Sequence, residues 1–129
     1  MQVNQEIIAW VGSEHAALVA DTRLAEFASI RLVEDEAGAW SCFPPRGNPR
    51  LYLLDVSLLA DASPAFVAAL ASRPSNWPPI VVIGRDHSSL AACPVKPNSR
   101  ILIGGEDGLD KLLLAARYWG QINEPLKLD

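Results

Sequence analysis

The chain has 129 residues, half of them hydrophobic, with a net charge of −4 and two cysteines. That length suits one domain with a core of its own, and the composition is too apolar for disorder. An acidic balance without a basic cluster argues against direct nucleic-acid binding by this segment, and no apolar run approaches the ~20 residues that cross a bilayer.

The opening stretch Met1-Gln2-Val3-Asn4-Gln5-Glu6 lacks the basic region of a secretory signal. Ile7 to Val11 predicts a first strand, closed by Gly12-Ser13. Ser13 can cap a helix in which Ala17, Ala20, Leu24 and Phe27 recur at three- and four-residue steps. Ile30 to Val33 predicts a second strand, and Glu34 to Phe43 is only weakly helical. The breaker Pro44-Pro45-Arg46-Gly47-Asn48-Pro49 delivers the chain to the apolar run Leu51-Tyr52-Leu53-Leu54-Asp55-Val56-Ser57, which reads as a buried parallel strand. Ser63-Pro64 is an N-cap followed by proline at the first helical position, with Phe66, Val67 and Leu70 as the buried stripe.

Pro78-Pro79 precedes a fourth strand, Ile80 to Ile83, which ends at Gly84. Asp86 to Cys93 can make two helical turns before Pro94 and Pro97 stop it. Ile101 to Ile103 predicts a fifth strand ending in Gly104-Gly105, and a last helix spans about Asp107 to Gln121. Residues 1–122 therefore read as one domain, and the polar tail 123–129 as the start of a linker to a further domain.

Five β/α units of this size predict a three-layer α/β sandwich, because right-handed crossovers cover both faces of a parallel sheet. The flavodoxin-like strand order 2-1-3-4-5 is the common solution at this length. Gly12-Ser13 and Asp55 then meet at the switch point between the first and third strands.

Those five units and the segment Leu53-Leu54-Asp55-Val56 resemble the receiver domain of bacterial two-component response regulators, a CheY-like fold. The resemblance implies that Asp55 is the phosphoacceptor or its relic. It also implies an acidic pair after the first strand to hold magnesium, yet Val11-Gly12-Ser13-Glu14 offers only Glu14. Gly84-Arg85 stands where the family has Ser or Thr, and Gly104-Gly105-Glu106 where it has Lys before Pro. Without a divalent cation or that lysine, an incoming phosphoryl dianion is repelled by the carboxylate. The resemblance therefore points to a pseudo-receiver that acts through protein contacts or as a homodimer, in bacterial signalling or transcription control. A phosphorylatable receiver is the alternative.

Plainer readings stand beside these. Asp55 can simply cap the turn that follows it. Glu14 suits a first helical turn, and Arg85 a solvated loop. Glu14, Arg85, Gly104 and Gly105 nevertheless border a candidate ligand or anion crevice. Tyr118 and Trp119 fall on the face through which receivers often pair, built from the fourth helix, fifth strand and fifth helix.

Leu53 to Ser63 also resembles the regulatory segment of STAS anti-anti-sigma domains, with Ser63 as the regulatory serine. Those domains begin with strand pairs, whereas residues 13 to 29 read as a helix. No Ser/His/Asp order or carboxylate pair converges, so no catalytic residue and no enzyme is predicted. His15 and His87 read as surface residues without metal-ligand spacing to Cys42 or Cys93, and no metal or cofactor is expected. Two distant cysteines suit a reduced, cytoplasmic protein, with no membrane partner.

Overall fold

The computed structural model describes residues 6–15, 29–42, 49–75, 77–102 and 110–111. Five strands form one sheet: β1 (Glu6–Trp10), β2 (Ser29–Leu32), β3 (Pro49–Asp55), β4 (Ile80–Gly84) and β5 (Ser99–Leu102). Their order is β2-β1-β3-β4-β5, and every neighbouring pair is parallel. This is the flavodoxin-like arrangement, with β1, β3 and β4 in the interior.

Burial explains why the central strands carry unbroken apolar runs. In β3 and β4, alternate residues point to opposite faces, and both sets are buried. Ile8, Trp10, Tyr52, Leu54, Ile80 and Val82 enter one cluster with Phe66, Leu70 and Leu90 from the helices. Ile7, Ala9, Leu51, Leu53, Val81, Ile83 and Ile101, of opposite parity, are equally buried. Edge strand β2 is largely exposed, and Arg31 reaches across to Glu6 of β1 at 3.4 Å.

Four helices are described: α1 (Glu36–Ser41), α2 (Val56–Ala60), α3 (Pro64–Ala71) and α4 (His87–Ala91). Each starts at a side chain that accepts from an otherwise orphaned amide, namely Asp35, Asp55, Ser63 and Asp86. The weakly helical stretch after β2 is thus a capped helix, α1. The third strand ends at Asp55, before the limit its apolar run suggests, because Asp55 turns the chain into α2. Ser63 and Pro64 begin α3 as the sequence predicts, with Phe66 and Leu70 fully buried and Val67 packed against them.

Two contacts tie these pieces together. The Phe66 ring meets Trp10 at 5.4 Å and Trp40 at 5.2 Å between centroids, both edge-on. Glu36, in the first turn of α1, accepts from the Ser63 amide and hydroxyl, each at 2.7 Å, and so fastens α1 to the start of α3. These bonds hold the Glu36 carboxyl below its ordinary range, the backbone bond most of all.

At the amino edge of the sheet lies a polar clasp. The Asn98 amide donates to Ile80 O, and the Ile80 amide donates to Asn98 Oδ1, both at 2.8 Å. Arg73, just past α3, donates to the carbonyls of Leu70 and Lys96 at 2.9 Å each. Of the helix predicted at 13–29, residues 13–15 form a 3-10 turn, Ser29 opens β2, and the rest lies outside the described residues, as do the predicted helix at 107–121, apart from helical residues 110–111, and the tail 123–129.

Candidate functional site

The strands diverge at the carboxyl edge between β1 and β3, since β1 turns toward β2 and β3 toward β4. Trp10 pairs with Leu54, so the chain leaving β1 passes directly beside Asp55. A 3-10 turn, Ser13–His15, then folds back, closed by the His15 amide on Gly12 O at 2.9 Å. That turn carries the His15 imidazole onto the Asp55 carboxylate.

Asp55 is 1% exposed and His15 is 6% exposed. The Asp55 Oδ2 atom accepts from His15 Nδ1 at 2.7 Å and from the Gly12 amide at 3.1 Å. Its Oδ1 atom accepts from the Ser57 hydroxyl at 2.8 Å and the Ser57 amide at 3.1 Å. A side chain on residue 12 would bring its Cβ to 3.3 Å from Oδ2, which is why the close approach uses glycine.

Burial by itself would raise the Asp55 carboxyl. The hydroxyl of Ser57, the Gly12 amide, the His15 ring and the Ser57 amide together outweigh it and hold the carboxyl below its ordinary value. An ionised carboxylate only accepts, so the Nδ1 of His15 donates in this pair.

Beside this pair opens a crevice of about 250 Å³, lined also by Ser57, Gly84, Arg85, Asp86 and Ser89. Asp86 caps α4 by accepting from the Ser89 amide at 2.8 Å and the Ser89 hydroxyl at 2.9 Å. These bonds lower its carboxyl, the backbone bond most, with smaller help from Arg85 and His87. Gly84 leaves room for Leu90, whose Cδ2 would lie 2.8 Å from an added Cβ.

The structure thus brings Asp55 and Arg85 to one crevice. Glu14 lies in the 3-10 turn with its side chain outside the described residues, as are Gly104, Gly105, Tyr118 and Trp119. His15 corrects the sequence reading. It is buried against Asp55 and not a surface residue, whereas His87 is exposed. His15, Ser57, Asp86 and Ser89 are site residues that pattern reasoning missed. The spacings Asp55-x-Ser57 and Asp86-x-x-Ser89 are local capping signals that can be read without a structure. Nothing in the sequence announces the His15 contact. No group of three or more His, Cys, Asp or Glu side chains suited to a metal occurs among the described residues. Among those residues, too, no helix is long and apolar enough to cross a membrane.

Comparison with known proteins agrees with the fold. The bacteriophytochrome response regulator AtBRR superposes with a TM-score of 0.65 at 14% identity, over 95% of this chain and 100% of its own. A signal receiver domain of a two-component histidine kinase from Clostridium thermocellum gives 0.65 at 13% identity, covering 92% of this chain and 98% of that one. The signal receiver domain of an HD domain-containing protein from Pseudomonas fluorescens Pf-5 gives 0.64 at 16% identity, covering 94% and 98%. No family model and no curated protein sequence matches the chain. The chain therefore has the fold of a signal-receiver domain, a likeness of architecture at low sequence identity.

Proposed function

We propose that this is an atypical receiver-like regulatory domain, working through protein contact or homodimerisation in bacterial signalling or transcription control, without conventional phosphorylation. The observation that carries the reading is the saturation of Asp55. Each carboxylate oxygen already accepts two hydrogen bonds, and the side chain is buried beneath His15. Hydrogen bonds to a charged group contribute about 1.5–3 kcal/mol each, so a phosphoryl donor must first displace a well-satisfied group. Arg85 lines the crevice where it could offset part of the added charge, but it holds no magnesium ion.

The output then lies on the helical faces. Tyr118 and Trp119 remain the residues we assign to a self- or partner-contact, on their sequence position alone. The phosphorylatable alternative keeps one supporting observation, the placement of Asp55 at the carboxyl end of a central strand beside an open crevice. It requires His15 and Ser57 to swing away.

Incubation with acetyl phosphate, and separately with beryllofluoride, each with magnesium, separates the two. The expected result is an unchanged intact mass and an unchanged amide NMR spectrum around residues 55–57. A stoichiometric adduct at Asp55 would overturn the phosphate-independent reading.

A further inference from the structure

The amino edge of the sheet holds a second cleft, of about 360 Å³, formed where the chain leaves α3 and where it enters β5. Its charged residues are Arg73 and Lys96, with Ser75, Trp77 and Asn98 beside them and no carboxylate among the described residues of the lining. In a chain of net charge −4 this is a local excess of positive charge.

Arg73 is held in place, but its charge is not balanced. One terminal nitrogen donates to Leu70 O and the other to Lys96 O, at 2.9 Å each, with Asn98 Oδ1 at 3.4 Å from the second. These acceptors are all neutral carbonyls, so they fix the guanidinium and leave part of its fork and all of its charge for another group. The carboxyl end of α3 offsets only about half a charge. Arg73 is partly buried, and burial pulls its guanidinium below the ordinary arginine value. Among the described residues no carboxylate comes within ion-pair distance of Arg73 or of the exposed Lys96. A partly buried cation without a counter-charge is costly for the fold by itself.

The cleft is also larger than a bare ion needs, and falls within the roughly 300–1,000 Å³ typical of small-molecule sites. Trp77, partly buried and packed against the core, gives it a fixed aromatic wall. We propose that this cleft binds a small organic anion, its carboxylate or phosphate on Arg73 and Lys96 and its flat apolar body against Trp77. The preset guanidinium fork matches the paired oxygens of such a group, and Lys96 adds a point charge from the rim. The site lies at the opposite edge of the sheet from Asp55, so it stands whether or not that carboxylate is phosphorylated.

The test is an NMR titration of the full chain at neutral pH and constant ionic strength. Benzoate, phenyl phosphate, inorganic phosphate and benzylammonium are the probes. At least one aromatic anion should shift the Trp77 indole and the amides of Ser75, Lys96 and Asn98 saturably, and the tighter of the two identifies the headgroup. Inorganic phosphate should bind about fivefold more weakly than phenyl phosphate, for want of a ring against Trp77. Benzylammonium should not bind. Lys96→Gln is the decisive variant, because Lys96 meets Arg73 only through its main-chain carbonyl and the variant keeps that bond. Urea unfolding should be unchanged in it, while anion affinity falls about threefold, the size expected of an exposed ion pair. The proposal is overturned by no saturable shift with either aromatic anion, or by benzylammonium saturating the same resonances. Inorganic phosphate binding as tightly as phenyl phosphate, or undiminished anion affinity in Lys96→Gln, overturns it equally.

Discussion

Asp55 concentrates four hydrogen bonds on one buried carboxylate, and its ionised form is therefore part of the native fold. Because its folded-state value lies below the ordinary one, the associated stability is present above the unfolded value of about 4 and is lost as pH falls through the folded one. Asp55→Asn replaces two lone pairs with donors facing the Gly12 amide and His15. It should cost about 1–3 kcal/mol in urea unfolding at pH 7 and flatten the wild-type loss of stability below pH ~4. Half of this site was legible beforehand. The charge at the end of an apolar strand marks Asp55, and Ser57 is a local capping partner two residues on. His15 lies 40 residues away in sequence, and its ring is buried by a turn that closes on a distant strand. Periodicity contains no record of such a contact, and for that reason a helix-start histidine looked like a surface one.

Among the elements, the helices are short and depend on their caps. Four of them span 5 to 8 residues, too few to be stable alone, so cap bonds and packing decide whether they form. Ser63 serves two of them, accepting from the Phe66 amide at 3.3 Å and donating to Glu36 at 2.7 Å. Ser63→Ala should lower stability by about 1 kcal/mol in chemical denaturation, with tryptophan fluorescence reporting altered packing of Trp40 against Phe66. The Ser63-Pro64 start was readable because an N-cap followed by proline is a local code. The end of β3 was not, because Val56 is as apolar as a strand residue. Only the Asp55 cap turns the chain there.

At the scale of the molecule, the topology was readable because β1, β3 and β4 each carry an unbroken apolar run, Ile7 to Trp10, Leu51 to Leu54 and Ile80 to Ile83, and are separated by Gly, Pro or capping residues. Two-sided burial leaves few other ways to arrange five such strands. Function resisted the same treatment, since one fold hosts many unrelated sites and only side-chain geometry separates them. The two edges of the sheet are also built from different chemistry. The amino-edge clasp joins Arg73 and Asn98 to backbone carbonyls and an amide, none of which titrates in ordinary acid. At the carboxyl edge the turns after β1, β3 and β4 are held by Asp55 and Asp86, both kept ionised by their bonds. Acid should therefore unfasten the molecule from one end. In hydrogen exchange followed downward from pH 5, the amides of Gly12, Ser57 and Ser89 should lose protection while those of Ile80 and Asn98 keep theirs. The protein would then pass through a form hinged open at the crevice and still closed at the clasp.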